Sequence, residues 1–338
     1  MTGKISLQIN NEEIVFADLT NREILEAIII CKSGNIFLYD IETNSKTLFT
    51  QLSFNPYQLN LQIYSFQNYV CIVQKNGTLG MVIDLSNPNF QKLLKRGDYC
   101  VEHCLFPIAF YSNENQTFLI HGSDWNRLDI TCLENDELLT NRIVDYKTKS
   151  NYFDYFHSSL LVSPDAKHFT SNGWVWSPYD QITIYSIEKF LQEFEMSHIS
   201  IDFEPVDGYN WDRPLCWINN TTLGIGYNKK EGGESKADFP SEIVFVDILE
   251  KKIINRIEFN GFAFSDYGAV IGELFFDAEA EHFIAVNKQT GLLITNLNGN
   301  EIYKDEKLTS HKYSTRHQLF YQMEGKNQTI EIFELTNK

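Results

Sequence analysis

Cys100, His103 and Cys104, with Cys132 further along, are the residue types that hold zinc. A structural zinc site shows two close ligand pairs, and here the second pair is missing, so free thiols and no metal are expected. His103, His121 and His157 could exchange protons near neutrality with Asp124 or Asp154, because imidazole titrates in that range. A histidine beside a turn more commonly has a structural role, and the sequence supplies no nucleophile elbow, phosphate loop, His-Glu-x-x-His pair or Asp-x-Asp-x-Asp-Gly calcium loop. No catalytic set and no cofactor are expected.

A second constellation is built for binding. Trp125, Trp174, Trp176 and Trp211, four of the 5 tryptophans, stand close in sequence to Asp124, Tyr209 and Asp212. Acidic-aromatic pairs recur at Asp98-Tyr99, Asp154-Tyr155, Asp207-Gly208-Tyr209 and Asp266-Tyr267. Tryptophan and tyrosine dominate interface hot spots, and an acidic rim selects a basic or polar partner. The competing reading gives the aspartates to turns and the rings to packing between structural units.

The elements that must position these residues repeat along the chain. An alternating strand ending in an aliphatic residue occurs seven times: IFLYDI, GMVIDL, RLDITCL, QITIYSI, EIVFVDI, GLLITNL and TIEIFEL. Their last residues, Ile41, Leu85, Leu133, Ile187, Ile248, Leu297 and Leu335, lie 44, 48, 54, 61, 49 and 38 positions apart. That period fits a four-stranded propeller blade of about 40 to 45 residues, with insertions in the middle of the chain. The expected fold is therefore an all-β, seven-bladed β-propeller of four-stranded antiparallel blades, forming one domain over residues 1–338. Each repeated strand is taken as strand c, preceded by strand b across turns such as Lys75-Asn76-Gly77, with strand a before it and an outer strand d after it.

The seventh repeat reaches Lys338 without a strand d, and Lys4 to Asn10 (KISLQIN) is a spare strand at the other end of the chain. An unpaired edge is a liability, so this segment is expected to pair with Thr329 to Leu335. Ile187, Phe190, Leu191 and Phe194 recur with helical spacing and predict one short outer helix between blades 4 and 5. Trp125, Trp174 and Trp176 fall in b-to-c loops of blades 3 and 4, and Trp211 in the link before blade 5. Asn228 to Ser241 is the longest b-to-c loop, and all of these belong to the face conventionally called the top.

The repeated unit resembles the WD-repeat type of propeller, and Ser163-Pro164-Asp165 matches the turn such blades carry between strands a and b. The Gly-His and Trp-Asp signatures of that family are missing from nearly every blade. HGSDWNRLDI (His121 to Ile130) and LLVSPDAKHFTSNGWVWSP (Leu160 to Pro178) look like segments of uncharacterised bacterial WD-repeat-like proteins. The resemblance implies a seven-bladed propeller and carries no chemistry with it.

With 45 acidic and 28 basic residues the formal charge is -17, which repels a phosphate backbone or an anionic membrane surface. Neither nucleic acid nor membrane is expected as a partner. The beginning of the sequence has no uninterrupted apolar run after Lys4, and the six cysteines lie mostly in apolar runs, so a cytoplasmic monomer with reduced thiols is expected. The function expected is binding without catalysis: a protein or peptide engaged by an aromatic, acidic top face over blades 3 to 5. The alternative is a propeller enzyme or lectin-like protein taking a small polar or carbohydrate-like ligand, with Trp174 and Trp176 stacking and Asp124 and Asp212 acting as acid and base.

Overall fold

In strands b and c apolar residues run without interruption, as in Ala27-Ile28-Ile29-Ile30-Cys31 and Val70-Cys71-Ile72-Val73. Such a run buries both faces of a strand, and so requires a layer on either side of it. The computed structural model of the protein describes residues 3–9, 11–56, 60–143, 152–176, 179–200, 212–228, 241–259, 262, 264–266, 269–270, 272–309, 312–324 and 329–334. These form seven four-stranded antiparallel sheets and one two-stranded ribbon. All seven repeated segments are the third strand of a sheet.

The chain divides into two compact units, Met1–Phe106 with His311–Lys338, and Pro107–Ser310. The first holds three blades. Blade 1 is Ile14–Leu19, Glu26–Cys31, Asn35–Asp40 and Ser45–Gln51; blade 2 is Leu61–Phe66, Tyr69–Gln74, Leu79–Asp84 and Asn87–Lys95. Blade 7 is Lys312–Ser314, Leu319–Glu324, Thr329–Glu334 and, as its fourth strand, Gly3–Ser6. Gly3 pairs with Ile332 and Ser6 with Thr329, so the N-terminal segment completes the last blade, with a strand over Gly3–Ser6 that starts earlier and is shorter than the expected Lys4 to Asn10. Ile28 and Ile30 pack towards blade 2, while Ala27, Ile29 and Cys31 pack with Leu7, Ile9, Ile330 and Ile332. Alternation along one strand thus serves two neighbours. Asp18 adds a polar tie between blades 1 and 7, accepting the Tyr321 hydroxyl at 2.6 Å and the Lys312 ammonium at 2.6 Å.

The second unit holds four blades. Blade 3 is Ile108–Asn113, Gln116–Asp124, Arg127–Cys132 and the two-residue Glu137–Leu138; blade 4 is Phe156–Val162, His168–Val175, Tyr179–Ser186 and Ile199–Ser200. Blade 5 is Leu215–Trp217, Thr222–Asn228, Ser241–Asp247 and Lys252–Phe259, and blade 6 is Gly272–Asp277, His282–Asn287, Gly291–Asn296 and Glu301–Asp305. The helix is Ile187–Glu193, continued by a 3-10 turn at Phe194–Ser197. It lies inside blade 4, between its third and fourth strands, and not between blades 4 and 5. Phe190 and Ile187 pack with blade 3 residues such as Ile130, so the apolar stripe turns back towards the preceding blade.

The ending shared by the repeated strands has a local cause. Asp40, Asp84 and Asp247 each accept the backbone amide two residues on, and Asn296 does the same for Asn298. Each side chain thereby forms the c-to-d turn itself. The aliphatic residue that follows is buried at Ile41, Leu85 and Ile248, fixing the turn against the core. The link from blade 2 towards blade 3 is held differently. Arg96, buried, donates to the carbonyls of Gly77, Leu105, Val101 and Cys104, and its burial lowers its pKa to about 10.

Candidate binding surface

Two β-bulges shape the b-to-c end of blades 3 and 4. In blade 3 the register slips between Gly122 and Asp124, just before Trp125. In blade 4 it slips between Phe156 and Ser159, which sets Phe156 directly opposite Trp174. Bulges re-aim side chains at strand ends, and directly opposed residues share one face of a sheet. Here the Phe156 and Trp174 rings stack with centroids 3.8 Å apart and planes 2° from parallel. Trp125 leans on Phe156 at 4.5 Å, and Tyr152 meets Trp125 edge-on at 6.1 Å. Trp176 stands perpendicular to Trp174 and Phe156, at 5.2 and 5.5 Å. Trp174 is 2% exposed and Trp176 is 51% exposed, so the cluster has a fixed inner ring and a presented outer one.

Buried polar groups hold this cluster in place. The Tyr155 hydroxyl accepts the Gly173 amide at 2.7 Å and lies 2.7 Å from the Ser171 and Gln181 carbonyls. Only glycine fits at 173, since a Cβ there would lie 1.9 Å from the Phe156 carbonyl oxygen. On the bulge, His157 Nδ1 is 2.9 Å from Ser171 Oγ, and burial drives its pKa down to about 3, helped by Arg142 and His198. The next residue, Ser158, donates to Asp212 at 2.6 Å. Arg213 ion-pairs with Asp180 through Nε, and Asn172 donates to the Arg213 carbonyl at 2.7 Å, tying blade 5 to blade 4.

Beneath blade 3, Arg142 reaches both carboxylate oxygens of Glu195, at 2.5 and 2.6 Å, and Asp129 at 3.0 Å. Glu195 also accepts the Leu128 amide at 2.7 Å, so the turn after the helix takes over an edge that the short fourth strand leaves unpaired. Burial raises the Glu195 pKa against the pull of Arg142. Burial also pushes Asp129 up, but the Ser123 hydroxyl, Arg127 and Arg142 outweigh it and the net shift is downward.

No protein-family model matches the chain, and no curated protein matches it. Solved structures do. The WD40 domain of Neurospora crassa Pan2 superposes with a TM-score of 0.60 at 10% identity, covering 100% of this chain and 95% of that one. A chain of the mitotic checkpoint complex gives 0.59 at 10% identity, covering 99% and 91%. A chain of Kuenenia stuttgartiensis hydrazine synthase gives 0.59 at 11%, covering 98% and 100%. The fold is a WD40-like seven-bladed β-propeller. At these identities the likeness concerns fold alone.

In this propeller the residues singled out from sequence fall as follows. Trp125 and Trp176 occupy b-to-c turns, whereas Trp174 belongs to the strand His168–Val175 and is the buried support of the stack, not a surface for a ligand. Asp124 is half-buried and accepts the Trp125 amide at 2.8 Å; Asp212, at φ 57°, receives Ser158. Tyr209, Trp211 and the loop after Asn228 lie outside the described residues, as does Tyr267. Tyr99 is exposed and Tyr155 buried, so the acidic-aromatic pairs have no single role. His121 Nε2 lies 3.1 Å from Thr131 Oγ1 and His103 is exposed beside Glu102. Cys31, Cys71, Cys104, Cys132 and Cys216 are buried and Cys100 is half-buried, all as free thiols. Among the described residues no group of three or more His, Cys, Asp or Glu could hold a metal.

Sequence reasoning missed Phe156 and Tyr152 as members of the cluster, and the Arg142, Asp129 and Glu195 network beneath it. Phe156 had a signal in the dense run Tyr152-Phe153-Asp154-Tyr155-Phe156. Glu195 had none, because 67 positions separate it from Leu128.

Proposed function

We propose that the protein is a non-enzymatic interaction propeller that engages a protein or peptide through the aromatic b-to-c side of blades 3 to 5, as a cytoplasmic monomer. The observation carrying this reading is Trp176, half-exposed at the end of a stack whose other rings are packed and backed by buried hydrogen bonds. A large ring fixed in place loses little entropy on binding, which is what makes tryptophan an effective anchor. The WD40-like fold supports the reading, because one structural neighbour is a chain of a multiprotein complex. The small-ligand alternative asks Asp124 and Asp212 to act as acid and base, but each already accepts a hydrogen bond that fixes a turn or a bulge.

The test is selection of peptides from a random display library on the immobilised protein, followed by affinity measurement against Trp176→Ala. A hot-spot tryptophan contributes about 2 kcal/mol or more, so the expected loss is roughly thirtyfold. No selected peptide, or peptides that bind both forms equally, would remove this site from consideration.

A further inference from the structure

A groove of about 580 Å³ is formed by the a-to-b turns of blades 1, 2 and 7, all within the first compact unit. Blade 1 lends it Asn21 to Ile24, blade 2 the turn at Gln67 and Asn68, and blade 7 Arg316. Polar contacts hold these turns together. The Asn21 amide donates to Ser65 Oγ at 2.8 Å, joining blades 1 and 2. Arg316 Nη2 lies 3.1 Å from Glu23 Oε1, joining blades 7 and 1, and Arg22 Nη1 lies 3.3 and 3.4 Å from the two carboxylate oxygens of buried Glu26. In a chain of formal charge -17, the lining thus carries two arginines against one carboxylate, Glu23. Each guanidinium uses a single nitrogen in these pairs. Nε and Nη2 of Arg22, and Nε and Nη1 of Arg316, have no hydrogen-bond partner among the described residues.

We propose that this groove binds an acidic peptide segment of a partner protein, with one or two Asp or Glu residues beside an aliphatic one. The Nε and Nη2 groups of an arginine form the planar fork that takes a carboxylate through two N–H donors, and on Arg22 both are open. On Arg316 the same fork is partly taken by Glu23, whose side chain is 89% exposed; an ion pair so exposed contributes little, and a ligand carboxylate can displace it. The side-chain amides of Asn21 and Asn68 are unpaired among the described residues, and a carboxamide both donates and accepts, as the N–H and C=O groups of a peptide backbone require. Ile24, 47% exposed, supplies the aliphatic contact. These groups favour a peptide over a free anion, which would use the arginines alone. The net negative charge of the chain does not forbid it, because charges more than about 8 Å away are screened at physiological ionic strength and the arginines in the groove decide. The site shares no residue with the Trp176 cluster.

The experiment probes the full chain with an array of hexapeptides that carry one or two glutamates or aspartates beside a leucine, isoleucine or valine, and with the same peptides carrying glutamine or asparagine instead. The best acidic peptide is then titrated by fluorescence anisotropy. It should bind at least roughly tenfold tighter than its amide counterpart, and Arg316→Gln should weaken it by a similar factor, since a hydrogen bond to a charged group is lost. Glu23→Gln should tighten binding, because it removes the competing carboxylate, and Trp176→Ala should leave it unchanged. Asn68→Trp, which fills the groove from an exposed turn, serves if Arg316→Gln does not fold and should abolish binding. The proposal is overturned if no acidic peptide binds, if the amide peptides bind equally well, if Glu23→Gln weakens binding, or if affinity survives the loss of Arg316 or a filled groove.

Discussion

Acid should unfold this protein partly through His157. The ring is fully buried on the blade 4 bulge, makes one hydrogen bond to Ser171 and has no partner at Nε2, with Arg142 and His198 further opposing a positive charge. Its pKa falls from 6.5 to about 3. Between those values the unfolded chain takes up a proton that the native state refuses. The stability due to the neutral ring is therefore complete above pH 6.5, declines as pH falls, and is gone near pH 3. The slope is about 1.4 kcal/mol per pH unit, so about 2 kcal/mol disappears between pH 7.5 and 5. Burial lowers His168 and His317 in the same direction, so the wild-type curve alone does not isolate His157. His157→Gln keeps a polar, uncharged group near Ser171, and the difference between the two proteins cancels the rest. Guanidinium unfolding at pH 7.5, 6 and 5 should show the variant losing about 2 kcal/mol less than the wild type over that range. Parallel curves would refute the argument.

Glu195→Ala should cost about 3 to 5 kcal/mol by denaturant unfolding, because it leaves Arg142 buried without its bidentate partner; replacing both residues with apolar ones should cost less. Gly173→Ala should push the Phe156 carbonyl away and break the ring stack, seen as lost near-ultraviolet dichroism from Trp174; an unchanged spectrum would contradict the geometry. Deleting residues 1–10 removes the fourth strand of blade 7 together with buried Leu7 and Ile9, worth roughly 3 kcal/mol or more in apolar burial alone, and the melting temperature should drop markedly. An unaltered transition would mean that the strand is not holding the blade.

Blade count, strand order and the completing strand were legible because each rests on a local pattern that repeats. A penultimate Asp or Asn that forms its own turn, followed by a buried aliphatic residue, marks the c strand wherever it occurs. The helix was legible as a helix but not in its place, since its stripe does not say which neighbour it faces. The geometry of the candidate surface was half legible. Composition and order bring Trp125, Trp174 and Trp176 to one end of adjacent blades, but their exposure depends on register.

The sequence by itself determined the periodic part of this protein, because alternation and turn chemistry act over a few residues and need no distant partner. Only the tertiary structure decided which rings are presented. One slipped register opposite Trp174 puts Phe156 on its face, buries one tryptophan and leaves Trp176 at the edge. It also decided that Glu195 would answer Leu128 and Arg142 across blades. Such pairings cost chain entropy that only the assembled fold repays, so no local pattern announces them.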